Sequence, residues 1–286
     1  MNPCPSALFL VFVLLAASAP AAAWGRTGHR LVCELALKDL PPEVSPWLKG
    51  QERAFLEHSS DPDAWRKDRK EARRHYLHAE SYGGPRGVPL EVGDAIRKIG
   101  AASFQKSGQV PWVIQDRLGD LVEAFRRRDR SRIAQAASVM GHYLADLHVP
   151  LHTTWHHDGQ DSDQKGLHGR WESGLVERFV RLDHLPIQPA SLEPDLVQAP
   201  WKWLDESHAL VPDVHEDDNT ADRTRPRGPH GKPRGQAYWV RFWELQGPAV
   251  NGQLSRAGHR LAQMILHAWV QAGRPALAAS PQTSPR

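Results

Sequence analysis

One run constrains this chain more than any other: Gly141-His142-Tyr143-Leu144-Ala145-Asp146-Leu147-His148-Val149-Pro150-Leu151-His152, closing the Pro-free apolar segment Ile133 to Leu147. The segment reads as a buried helix. His142 and Asp146 stand four apart, so both side chains fall on one helix face, a turn from each other. Pro150 stops the helix and leads into His152. Two imidazoles and a carboxylate therefore converge on a helix end, and these are ligand types that bind zinc. Taken alone, the run is equally a buried helix with a hydrogen-bonded His–Asp pair.

The rest of the chain weighs that choice. A length of 286 residues suits one large domain or two small ones. The net charge of +3 is too small to argue for nucleic acid, whereas 16 histidines favour metal ligation. Met1 to Ala23 reads as a secretory signal peptide: Leu8 to Leu15 is its apolar core and Ala21-Ala22-Ala23 its cleavage site. The apolar run is too short to span a membrane. The expected location is therefore outside the cell or in the periplasm. Cleavage also removes Cys4, leaving Cys33 without a partner, so core and metal must supply the stability. Cys33, on an apolar helix face, reads as a small buried hydrophobe.

Cleavage after Ala23 would make Trp24 the N-terminus. A free α-amine, with a pKa near ~7.7–8.0, can deprotonate and bind a metal, and its own carbonyl oxygen can close a chelate ring. Gly25 and Gly28 permit the tight turn this needs, and His29 follows. Further on, Asp61-Pro62-Asp63 starts a helix and places Arg66 one turn beyond Asp63. His75, Tyr76 and His78 come next. His168 and Glu172 then repeat the four-residue spacing of His142 and Asp146, and two such pairs on separate helices are much less expected by chance than one. Helical pattern also covers Leu90 to Lys106, Trp112 to Arg127, Trp201 to Leu210, Gln236 to Gln246 and Asn251 to Ala272. Residues 213–235 read as a mobile surface loop, residues 274–286 as a disordered tail, and no stretch shows strand alternation. The expected organisation is a signal peptide (1–23), a mainly α, single helical domain (24–273) and the tail.

Trp24-Gly25-x-x-Gly28-His29, Asp63-x-x-Arg66, His75-Tyr76, His142-x-x-x-Asp146-x-x-x-Pro150-Leu151-His152 and His168-x-x-Trp171-Glu172 occur in a fixed order. This order resembles the superfamily joining single-strand-specific zinc nucleases to bacterial zinc-dependent phospholipases C. The resemblance runs from Trp24 to about Glu177 and returns at Ala257 to Ala262. It implies one helical domain with a trinuclear zinc cleft. Asp63, His75, His142 and Asp146 would hold one zinc, and His152, His168 and Glu172 a second. The Trp24 amine and carbonyl, His29 and Asp146 would hold the third. It further implies a metal-activated hydroxide attacking phosphorus, with Arg66 and Asp63 as catalytic residues and Tyr76 and His78 against the substrate. Glu172 is the phospholipase-like choice, Asp63-x-x-Arg66 the nuclease-like one, and His78 stands where the nucleases carry a base-reading Asp. The expected activity is a zinc-dependent endonuclease on single-stranded DNA or RNA, leaving 5′-phosphates. The alternatives are a phospholipase C and a non-catalytic zinc-binding protein. The chain is expected to be a monomer with no obligate protein partner.

Overall fold

The computed structural model describes residues 24–192, 194–223 and 234–277. The expected signal peptide and the far end of the expected tail lie outside them. The described residues are helical throughout, with one isolated bridge, Leu77 to Gly108, in place of any strand.

The segment from Ile133 onward does form the buried centre. Its helix spans Arg130–Leu147 and starts on Asp129, whose carboxylate accepts from the Arg132 amide at 3.0 Å. From Ala137 to Leu147 every residue is buried, since helices Gly25–Asp39, Val110–Arg126 and Gln236–Gln271 pack around it. Gly141 allows the closest of these approaches: a Cβ there would lie 2.6 Å from Leu261. Beyond His148 the chain turns into a short 3-10 segment, Pro150–Thr153, that begins on the proline and buries His152.

Three expectations need correction. Leu90 to Lys106 is two helices, Val92–Ile99 and Ala101–Ser107, because Gly100 at φ 80° breaks the run. The two closing helices are one, Gln236–Gln271, running through Pro248. Pro248 is exposed, so the carbonyl it cannot donate to is free to bond water. The loop expected over 213–235 is helical in its first half: Val211–Asp222 is a helix, and residues 224–233 lie outside the described set. Its acidic run is held from inside the protein. Asp218, 1 % exposed, meets the Arg170 guanidinium at 2.9 and 3.0 Å and also accepts from Gln164 and the Tyr238 hydroxyl. A charge that reads as solvated from local sequence is thus one half of a buried ion pair.

Candidate metal centre and cleft

Five segments deliver the expected ligands to one place, His75 coming from the bend after helix Arg69–Ala72. Helix Arg130–Leu147 supplies His142 and Asp146, and the turn after it His152. Helix Asp61–Trp65 supplies Asp63, with Arg66 as its C-cap. His168 and Glu172 lie on a helix whose middle turn, Arg170–Gly174, is π-helical; such turns widen the spacing locally and recur at functional sites. The first helix supplies His29.

The side chains fall into three groups that could hold a metal: Asp63, His75 and His142; His29, His142 and Asp146; His152, His168 and Glu172. Asp146, fully buried, is the hub. Its carboxylate is 2.8 Å from His75 Nδ1, 3.4 Å from His142 Nε2, 3.7 Å from His29 Nε2 and 3.6 Å from His152 Nδ1. Glu172 lies 3.0 Å from His168 Nε2 and 3.5 Å from His152 Nε2. His29 and His142 stack with centroids 3.9 Å apart.

The outward nitrogens explain why these rings point as they do. His142 Nδ1 donates to the Ser59 carbonyl and His152 Nδ1 to the His75 carbonyl, each at 2.8 Å. His75 turns Nε2 toward Glu71 at 3.5 Å, and Glu71 in turn accepts from the Tyr143 hydroxyl. The two carbonyl bonds hold a proton on the outer nitrogens of His142 and His152 and leave their inner lone pairs facing the centre, as metal-ligating histidines require. Glu71 escapes a motif reading, although its signal is the same four-residue carboxylate–histidine spacing, Glu71 to His75.

The donor set fits zinc on a further count. His29 Nδ1 and Nε2, His168 Nε2, Asp146 Oδ1 and Glu172 Oε1 are buried without a hydrogen-bond partner. Orphaned buried polar atoms are costly, and here they are nitrogen and oxygen donors gathered around the same points. Electrostatics agree. Burial opposes charge on Asp146, but His142, His152 and His75 outweigh it and hold the carboxyl far below its ordinary range. Burial likewise opposes charge on Glu172, yet His168 and His152 hold it down at about 2. His75 loses by burial and gains more from Asp146 and Glu71, reaching about 9. Burial pushes His29 and His142 below the ordinary imidazole range.

Trp24 is fully buried in a left-handed turn, φ 44°, its indole donating to the Ala145 carbonyl at 2.6 Å. Gly28 makes the turn possible: its amide bonds the Trp24 carbonyl at 3.0 Å, and a Cβ there would lie 2.8 Å from the Trp24 Cβ. The Trp24 nitrogen reaches Glu172 Oε2 at 3.1 Å, closer to the second group than the sequence implied.

The groups open into a cleft of about 370 Å³, lined by Arg66, Tyr76, His78, His157 and Asp158 beside His75, His152 and His168. Arg66 Nη1 is 3.4 Å from Asp63 Oδ1 and faces the cleft. Tyr76 and His78 line it but stack on each other, centroids 4.6 Å apart. His148, in the central run, is remote in role: it bonds the Leu144 carbonyl and Arg260, and pins the helix end to the long C-terminal helix.

The sequence model of the S1/P1 nuclease family matches residues 24–269. No curated protein matches the chain. Among solved structures, an alpha toxin from Clostridium absonum superposes with a TM-score of 0.52 at 13 % identity. The alignment covers 84 % of this chain but 64 % of the toxin, so the chain spans less than two thirds of that relative, and at this identity the likeness speaks for the fold alone.

Proposed function

The chain belongs to the S1/P1 nuclease family, and from that premise we propose that it is a zinc-dependent nuclease hydrolysing single-stranded DNA and RNA to 5′-phosphates. The observation that carries the reading is the convergence of three metal-capable groups, with orphaned inward donors, on a cleft that also presents Arg66.

Asp63, His75, His142 and Asp146 would hold one zinc, His152, His168 and Glu172 a second, and Trp24, His29 and Asp146 a third. Zinc bound there lowers the pKa of water toward about 7 and draws charge from the phosphoryl oxygens. The chain's own residues do the rest. Arg66 meets the non-bridging phosphate oxygens, steered by Asp63, and stabilises the charge that grows on them. The hydrogen bonds to the Ser59 and His75 carbonyls and the ion pair with Glu71 keep the imidazoles in register, so little reorganisation accompanies reaction. Tyr76 and His78 form one wall against the substrate.

A phospholipase C is the second reading, favoured by Glu172 and by the stacking of His78 on Tyr76, which covers a ring face that a nucleobase would use. The test sets zinc-loaded protein beginning at Trp24 against single-stranded DNA, RNA and phosphatidylcholine, with and without chelator. Chelator-sensitive cleavage of the polynucleotides supports the nuclease. Head-group release with inert polynucleotides selects the phospholipase, and stoichiometric zinc without turnover a binding protein.

A further inference from the structure

Beside the cleft lies a second, shallow pocket of about 180 Å³ that the proposed chemistry leaves unused. It lies in the groove between helices Val110–Arg126 and Arg130–Leu147 and is lined by Trp65, Arg117, Asp120, Arg132, Gln135 and Val139. Trp65 is 43 % exposed, a large apolar ring left in solvent at the end of a five-residue helix.

Two features say what would cover it. The first is position. Arg66, the next residue, lines the cleft, so two consecutive residues of the chain border the two pockets. The second is chemistry. Arg117 and Arg132 line the same pocket as the indole, against one carboxylate, Asp120, which Arg117 meets at 2.8 Å. An aromatic face with cations at its edges is how proteins hold a base and its phosphate in a single strand. An acyl chain would need a continuous apolar surface, whereas charged and amide side chains ring Trp65.

We propose that this pocket is a nucleotide subsite for the continuation of a single strand: one base stacks on Trp65 and an adjoining phosphate meets Arg132 and Arg117, while the scissile phosphate lies at Arg66. The proposal rests on the nuclease reading and names how that site would take a polymer rather than a dinucleotide.

The experiment compares Trp65→Ala, Trp65→Phe and Arg132→Glu with the unaltered protein, all zinc-loaded and beginning at Trp24. The substrates are a twelve-residue oligothymidylate and the dinucleotide TpT, whose single phosphate would lie at Arg66 and leave none for Arg132 and Arg117. For the twelve-mer, Trp65→Ala is expected to lower kcat/KM by about tenfold, chiefly through KM, as loss of one base stack does. Trp65→Phe keeps most of the activity, and Arg132→Glu loses a similar amount with a shallower salt dependence. TpT kinetics, zinc content and helicity stay unchanged in all three. Equal losses on both substrates, or no loss on the twelve-mer, overturn the subsite. Binding of the twelve-mer to chelator-treated protein, followed by quenching of tryptophan fluorescence, reads the pocket without turnover. If the unaltered protein cleaves neither oligonucleotide, the nuclease reading falls, and oligomer binding lost in Trp65→Ala still upholds the pocket. If Trp65→Ala instead weakens binding to phosphatidylcholine vesicles and spares the oligomer, the surface belongs to a lipid and the proposal fails.

Discussion

At the scale of single residues, the centre gathers imidazoles, two of them held from behind by backbone carbonyls, around buried carboxylates. Asp146 is the extreme case, approached by four imidazoles. Asp146→Asn is therefore expected to cost more activity and zinc than any other ligand change; near-normal zinc content and rate in that variant would remove its bridging role. Glu71 acts one step back, through His75. Glu71→Gln, which keeps the shape but accepts less strongly from the ring, is expected to cost roughly 10–100-fold in zinc affinity or rate. His75 also sets a pH response. Its folded pKa of about 9 lies above the unfolded value, so metal-free protein carries a proton there at neutral pH. Zinc uptake near pH 7.5 should release that proton into weakly buffered solution, and the release should fade above about pH 9. Cys33 is the reverse. Burial pushes its thiol to about 12, so it should stay unmodified by thiol reagents until the protein unfolds. The sequence disclosed the ligands because four-residue spacings carry directly onto a helix face. It did not disclose Glu71 as a partner, because the short helix Arg69–Ala72 ends between Glu71 and His75, and tertiary packing brings Tyr143 to meet it.

The elements tell a different story about what is legible. The central helix was readable in full, since its burial is uniform and its stop is a proline. Misreadings occurred where local signals met a distant partner. Pro248 reads as a break but sits on the exposed side of a helix that packing holds together on the other. Glu216-Asp217-Asp218 reads as a solvated acidic run, yet Asp218 anchors helix Val211–Asp222 to Arg170 on the ligand-bearing helix, 48 residues back in sequence. Removing one member of such a pair strands the other charge in the interior. Asp218→Ala is expected to destabilise the protein by about 3–5 kcal/mol in urea unfolding. A loss below 1 kcal/mol would mean that the helix is held by its apolar side alone.

For the whole molecule, Cys33 is the one thiol among the described residues, and a metal at the centre would be the cross-link between segments far apart in sequence. Zinc at about a thousandfold above its dissociation constant would add ~4 kcal/mol, which in a domain of this size raises the unfolding midpoint by roughly 10 °C. Chelation should take that away in calorimetry. One extra residue before Trp24 should remove the third ion and most of the activity; full turnover in the extended protein would rule out a role for the amine. The turn that buries Trp24 against Ala145 and Glu172 has a further outcome. While residues 1–23 remain attached, the Trp24 nitrogen is an amide, its lone pair delocalised into the carbonyl and poor at binding metal. Bond cleavage after Ala23 would then work as a safety catch. On the signal-peptide reading we propose, the chain would lack that ligand until cleavage, and hydrolysis would begin only then.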